Sequence, residues 1–291
     1  MKIGVSSYSF GRYFNAGDMD LAGMVAKTKA IGFEGFEMLP RYFGPDVVEA
    51  TPAQCVELKK MLEDAELGMF CYTLASNFGL PEGPDRQAVT DRIKREIENA
   101  VVLGAKHCRI ESTFGPKEGE EVTFDAMLDR VVQATTEVAE HALKLGVKLG
   151  LENHGRYMGS FKHCVQLIRA VKNPAYGAVP DIGNFLVVDE DPLVACRELA
   201  KYAIHVHAKD FLYRPAEPEQ TEGRWGRSND GHQIQGTVVG EGDVPVKACL
   251  QALKDRGFDG TLGVEHESPE DPIEGLTRSR ANLERIIASL D

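Results

Sequence analysis

The 291-residue chain is 43% hydrophobic and 27% charged, which is globular composition with ample core material and excludes extended disorder. A formal net charge of -12 repels phosphate backbones, so no nucleic-acid partner is expected. No apolar run approaches membrane-spanning length and the start, MKIGVSSYSF, carries no secretory leader, so a soluble cytoplasmic protein without a membrane partner is expected.

In chain order, KIGVSSY supplies a first strand. A phrase then recurs in which an amphipathic run ends in Gly and feeds a β-rich segment: KAIGFEGFEM, DAELGMFCYT, VVLGAKHCRI, KLGVKLGLEN and KDRGFDGTLGVEHE. Gly32, Gly68, Gly104, Gly146 and Gly257 read as the left-handed residues just past helix ends. They are spaced by 36, 36, 42 and 111 residues, and the last gap holds two further strands, in YGAVPD and YAIHVHAKD. Helix starts agree: Thr51-Pro52 with Gln54 forms a capping box, and Asp191-Pro192 opens another helix. Over 123–145 the apolar residues keep three-to-four spacing, one face of a long helix.

Eight strands alternating with helices predict an α/β fold, a single (β/α)₈ TIM barrel over residues 1–291. No G-x-G-x-x-G follows the first strand, which lowers a doubly wound dinucleotide-binding alternative. A long loop at about 211–240 interrupts the rhythm, far beyond ordinary βα connections. The six cysteines form no C-x-x-C pair and are expected to be buried free thiols.

Barrel enzymes assemble their sites at the carboxyl ends of the strands. Four apolar strands end there in polar residues: LGLENHG in Glu152, AVPDIGNF in Asp181, IHVHAKD in His207 and LGVEHE in Glu265. Any one alone fits a structural role such as a helix cap. Four together, three carboxylates and one imidazole, suit a divalent cation, with Mn²⁺, Mg²⁺ or Co²⁺ ahead of structural zinc.

On LEN, DIGNF, HVHAKD and VEHE the chain resembles the xylose isomerase-like barrel superfamily, and within it the sugar isomerase and epimerase group that includes the ketose 3-epimerases. The resemblance spans essentially the whole chain. It implies that Glu152, Asp181, His207 and Glu265 bind the metal, Mn²⁺ first. It also implies that Glu152 and Glu265 act as acid and base on an enediolate of a keto sugar, which the acidic turn Gly240-Glu241-Gly242-Asp243 leads us to expect to be unphosphorylated. QIQGTVVGEGDVPV also resembles the catalytic subunits of carbon-glycoside-cleaving enzymes acting on 3-keto sugars. The alternative is therefore a lyase or dehydratase, with a second small subunit as a further partner. Two remoter readings are a DNA-repair endonuclease, disfavoured because Asn184 stands where that branch carries a histidine, and a non-catalytic sugar-binding barrel.

Around the metal, His154 shares strand parity with Glu152 and is a candidate donor or base, or else a surface residue of the loop. Lys209, Glu111, Tyr8 and Trp225 are candidate substrate contacts. Phe10 and Tyr72 fit either a pocket wall or core packing, and His205 either the barrel interior or the substrate's edge. Gly240-Glu241-Gly242-Asp243 would repel a phosphate dianion, unless Arg224 and Arg227 reverse the local field. Trp225 between Gly223 and Gly226 fits a lid over the mouth or an interface in the expected homo-oligomer.

Overall fold

The computed structural model describes residues 1–116, 119–216 and 225–291. Its strands are β1 (Lys2–Ser6), β2 (Gly35–Met38), β3 (Gly68–Leu74), β4 (His107–Ile110), β5 (Lys148–Glu152), β6 (Tyr176–Val179), β7 (Val206–Ala208), β8 (Asp210–Arg214), β9 (Gly226–Arg227), β10 (Gln233–Thr237) and β11 (Thr261–Val264). Eight of them form one parallel sheet in the order β6-β5-β4-β3-β2-β1-β11-β7. Parallel bridges Ala178↔Ala203 and Asp181↔His207 join its two ends, so the sheet is a nearly closed (β/α)₈ barrel.

Helices α1 (Gly11–Ala16), α2 (Leu21–Ile31), α3 (Pro52–Asp64), α4 (Pro84–Leu103), α5 (Phe124–Leu145), α6 (Phe161–Val171), α7 (Pro192–Leu199), α8 (Val246–Lys254) and α9 (Pro272–Ala288) lie between the strands. Their boundaries follow local chemistry. Thr51 and Gln54 form the reciprocal capping box of α3, and the Asp191 carboxylate accepts from the amides of Leu193 and Val194 to open α7. On α5, Met127, Val131, Val138 and Ala142 are buried, which is the predicted apolar face. Among the described residues no helix is long and apolar enough to cross a membrane, and all six cysteines are free and buried.

Gly32, Gly104, Gly146 and Gly257 adopt positive φ as expected, but Gly68 does not. Helix α3 stops at Asp64, so the left-handed position falls on Glu66, at φ 55°. Gly68 is needed for space instead: a Cβ there would meet the Phe70 ring at 2.8 Å, and one at Gly35 would meet it at 2.3 Å. The Phe70 ring lies against both glycines.

The segment read as a long loop is in part an antiparallel sheet, in the order β8-β10-β9. Asp210 ties its base to the chain beyond, because its carboxylate accepts from the amides of Gly240 (2.9 Å), Gly242 (3.0 Å) and Val244 (3.1 Å). Arg156, in the loop after β5, donates to the carbonyls of Arg227 (2.7 Å) and Ser228 (3.2 Å) and holds the far edge down. Gly223 and Arg224 lie outside the described residues.

Candidate metal centre

The topology brings four strand ends together. Glu152 closes β5, Asp181 lies two residues past β6, His207 is in β7 and Glu265 follows β11, and one ligand atom from each lies within 4.8 Å of all the others. None is more than 7% exposed. His207 Nδ1 is 2.6 Å from Glu152 Oε1 and 3.6 Å from Glu265 Oε1, so this nitrogen faces the carboxylates.

Asp181 is held with particular care. The Asn153 side chain pairs with its backbone, accepting from N at 2.8 Å and donating to O at 3.0 Å. Its Oδ1 accepts from the amides of Gly183 (2.8 Å) and Asn184 (3.0 Å). Its Oδ2 is buried and has no hydrogen-bond partner among the described residues; the Lys209 ammonium, 3.3 Å away, meets ion-pair distance only. A buried carboxylate oxygen left this way is costly unless a cation meets it. Three carboxylates, one of them with a buried oxygen that makes no hydrogen bond among the described residues, and one imidazole nitrogen fit a divalent ion.

Several neighbours were not foreseen from the sequence. Glu37, on β2, lies behind His207, with Oε1 3.0 Å from His207 Nε2 and Oε2 3.0 Å from His205 Nε2. Thr73 also donates to Glu37, and His205 Nδ1 contacts Thr261 Oγ1 at 2.7 Å. Glu37, His205 and His207 are themselves grouped closely enough to ligate, but all three are fully buried and satisfy one another. A Cβ at Gly263 would come within 2.5 Å of Glu37 Oε2, so the space beside that triad is filled. It supports His207, fixing which nitrogen points at the carboxylates. His205 is thus a barrel-interior residue. Arg109 on β4 pairs with Glu152 and, at 3.2 Å, with Glu111. In strand, both missed residues were visible only as single charges inside apolar runs, FEM and CRI.

The candidate substrate contacts divide. Lys209 is buried, with its ammonium 2.8 Å from Glu265 and 3.5 Å from Glu267. Tyr8 donates its hydroxyl proton to Glu267 at 2.5 Å. Glu111 lies 3.1 Å from His154 Nδ1, and His154 is partly exposed at the mouth. Phe10 and Tyr72 are fully buried in the core, Tyr72 donating to Glu96, so only Tyr8 of the three aromatics reaches the mouth. Trp225 is half-buried; its neighbour Gly226 lines a mouth cavity, but Trp225 is not among that cavity's lining residues.

Two openings flank the cluster and share Glu267 as a wall. A cavity of about 320 Å³ is bounded by His154, Asn184, Lys209, Gly236 and Glu267. The Asn184 side-chain nitrogen there is buried without a hydrogen-bond partner among the described residues. A cleft of about 740 Å³ runs outward past Tyr8, Arg41 and His266. The Gly-Glu-Gly-Asp turn lines neither opening: Glu241 pairs with Arg278, and Asp243 accepts from the Tyr213 amide at 2.7 Å and lies 3.8 Å from Arg214. Each of its two carboxylates thus has an arginine at ion-pair distance.

Charge balance follows from these contacts. Burial alone would raise the Glu152 pKa, but Arg109 and His207 outweigh it and hold the carboxyl well below its usual range. Burial would lower His207, yet Glu37, Glu265 and Glu152 hold it well above 6.5 in the metal-free protein. Lys209 is held up in the same way by Asp181, Glu265 and Glu267. Asp181 is pushed up to about 6 by burial, which Lys209 only partly offsets.

The family model for the xylose isomerase-like TIM barrel matches residues 25–286, and the chain belongs to that family. An uncharacterized Methanocaldococcus jannaschii protein, MJ1311, is 22% identical over 208 residues, covering 69% of this chain and 64% of its own length. The chain thus matches less than two thirds of that relative. The rhizopine catabolism protein MocC of Rhizobium meliloti is 25% identical, covering 94% of this chain and 83% of its own. Among solved structures, an IolI protein with a bound zinc atom superposes with TM-score 0.77 at 16% identity, covering 100% and 99% of the two chains. D-psicose 3-epimerase from Clostridium cellulolyticum H10, with D-tagatose, gives 0.76 at 16% identity, covering both chains fully. At such identities these likenesses show the fold alone.

Proposed function

We propose that the chain is a divalent-metal-dependent enzyme that moves a proton beside the carbonyl of an unphosphorylated keto sugar, an isomerase or epimerase. The observation that carries this is Asp181: one oxygen is pinned by two amides, while the other is buried without a hydrogen-bond partner amid Glu152, His207 and Glu265. Glu152, Asp181, His207 and Glu265 would hold the ion, Mn²⁺ first on ligand chemistry. When bound, a divalent cation polarises a carbonyl and stabilises enediolate charge.

The chain's own residues supply the proton steps. Glu152, kept ionised beside Arg109, is suited to take the proton. Glu265, in contact with the Lys209 ammonium, is suited to return it from the other side. His154 and Asn184 line the adjacent cavity and are placed to orient hydroxyl groups. The sheet of β8, β9 and β10 roofs this cavity through Phe211, Gly226, Ile234 and Gly236 and limits water entry. The amides of Gly240, Gly242 and Val244, which a phosphate would need, are already engaged by Asp210.

One observation favours a second outcome of the same chemistry. Lys209 places an ammonium 2.8 Å from Glu265, where a departing oxygen could be protonated, which would turn the enediolate toward elimination. Turnover of keto sugars in D₂O decides between them. Deuterium beside the carbonyl of recovered epimer supports the first reading, release of water or an aglycone supports the second, and neither, with metal bound, overturns both.

A further inference from the structure

We propose that the cleft lined by Tyr8, Arg12, Arg41 and His266 binds a carboxylate at the end of the substrate remote from the reacting carbonyl. The inference rests on the sugar-converting reading above and narrows its substrate to acidic sugars.

The cleft adjoins the centre, with Glu267 as the wall it shares with the cavity beside Lys209. Tyr8 and Glu267 line it, Tyr8 is hydrogen-bonded to Glu267, and Glu267 lies 3.5 Å from the Lys209 ammonium that touches Asp181 and Glu265. Its volume of about 740 Å³ admits a chain or ring extending outward from the reacting carbons.

Two guanidinium groups stand at the cleft without a carboxylate at ion-pair distance among the described residues. Arg12 donates to the Pro269 carbonyl at 2.8 Å, and Asp271 nearby is engaged by Tyr13. Arg41 donates to the Tyr42 hydroxyl at 2.5 Å and stacks on two rings, 4.7 Å from the Tyr42 centroid and 5.6 Å from that of Tyr8. In a chain of net charge -12, two arginines that line one cleft with no carboxylate at ion-pair distance among the described residues are placed to meet an acidic ligand together. Arg41 is held in advance by its aromatic neighbours, which limits the entropy lost on binding.

His266 lines the cleft and is 6% exposed, and neither of its ring nitrogens has a hydrogen-bond partner among the described residues. Its ring is locked against α9, since a Cβ at Gly275 would lie 2.1 Å from His266 Cε1. Both ring nitrogens are themselves buried and lie beside Gly275, so the imidazole is a rigid wall of the cleft rather than a donor to its contents. A phosphate dianion fits less well than a carboxylate, because Glu267 shares the cleft and its charge opposes a dianion more than a monoanion.

Calorimetric titration of the metal-loaded protein with D-glucuronate, D-glucose and D-glucose 6-phosphate tests this, in the wild type, Arg12→Gln, Arg41→Gln and the double variant. Metal content and proton exchange from keto sugars are measured alongside. The expected result is glucuronate binding at least about tenfold tighter than glucose, with the advantage lost in the double variant while glucose affinity and metal content are kept. Equal binding of glucuronate and glucose by the wild type, or an advantage that survives both substitutions, overturns the proposal. Preference for the 6-phosphate over the uronate also overturns it. Carboxylate selectivity without metal or proton exchange would sink the sugar-converting reading and leave the anion site standing.

Discussion

Two buried carboxylates, Glu96 on α4 and Asp181 beyond β6, show how differently one chemical group can be housed in one barrel. Glu96 sits in the helical layer and is fully provided for: it accepts from the Ala50 amide at 2.9 Å, the Tyr72 hydroxyl at 2.6 Å and the Asn99 side chain at 3.2 Å. Asp181 has one oxygen equally well held and the other without a hydrogen bond, beside two further carboxylates. Burial and charge are common to both. What separates them is satisfaction: the first carboxylate ties a loop to a helix and a strand, whereas the second is one ligand short of a cation.

The sharpest way to break this contrast is to remove the proton-transferring groups and leave the frame. Glu152→Gln and Glu265→Gln are each expected to lower turnover by about 10²–10⁴-fold, since an amide cannot carry the proton. A bound ion retained at the wild-type level in metal analysis, with turnover lost, would show that the loss is chemical. Steady-state kinetics and metal analysis on the same preparations check this.

Next come the carboxylates themselves. Glu96→Ala should leave the Tyr72 hydroxyl and Ala50 amide unpaired, lowering stability by about 1–3 kcal/mol with metal content unchanged. Asp181→Asn should do the reverse, holding or raising the stability of the metal-free protein by easing carboxylate crowding while abolishing metal binding. Denaturant titration and metal analysis of both variants would expose a failure of the comparison if the two behaved alike.

Behind His207, Glu37→Gln is expected to weaken metal affinity by about 10–100-fold, because an amide offers one acceptor and one donor where the carboxylate faces His207 and His205 with two charged acceptors. Competition with a chelator of known affinity reads this directly.

The pH dependence sharpens the same point. Asp181 has a folded-state pKa of about 6 in the metal-free protein, above the ordinary 3.8. Its stabilising contribution to the metal-free fold is therefore complete below the lower value and is lost as pH rises through the higher one. Metal binding runs the opposite way, because Asp181 must be deprotonated, and His207, held well above 6.5, must also release a proton. Affinity should rise from about pH 5 to about pH 7 and beyond, with protons released on binding. Titrations in buffers of different ionisation enthalpy check this. The smallest effect is expected from Arg156→Ala, which frees one edge of the β8-β10-β9 sheet and should raise KM several-fold, about 1 kcal/mol, with kcat little changed.

Much of this could be read before the structure because it is local. The recurrent helix stops and the apolar strands ending in Glu152, Asp181, His207 and Glu265 are patterns within a few residues, and barrel topology turns them into one cluster. Glu37 and Arg109 were missed because their meaning is not local: His207 lies 170 residues from Glu37 in sequence, and Glu152 lies 43 from Arg109. Gly68 was misread because close packing on Phe70 and a left-handed turn both select glycine, and only the position of the α3 terminus separates them. The sheet formed by β8, β9 and β10 was hidden because its segments are short, and its anchor, Asp210, works through amides thirty or more residues away.

The central claim is that the barrel mouth is one cation short of balance. Elemental analysis of the purified wild type and Asp181→Asn, each chelated, refilled with Mn²⁺ and dialysed, tests it most directly. The account predicts about one tightly held ion per wild-type chain and none in the variant, with both folded. Equal metal content in the two proteins, or a folded wild type that retains no ion, would contradict it.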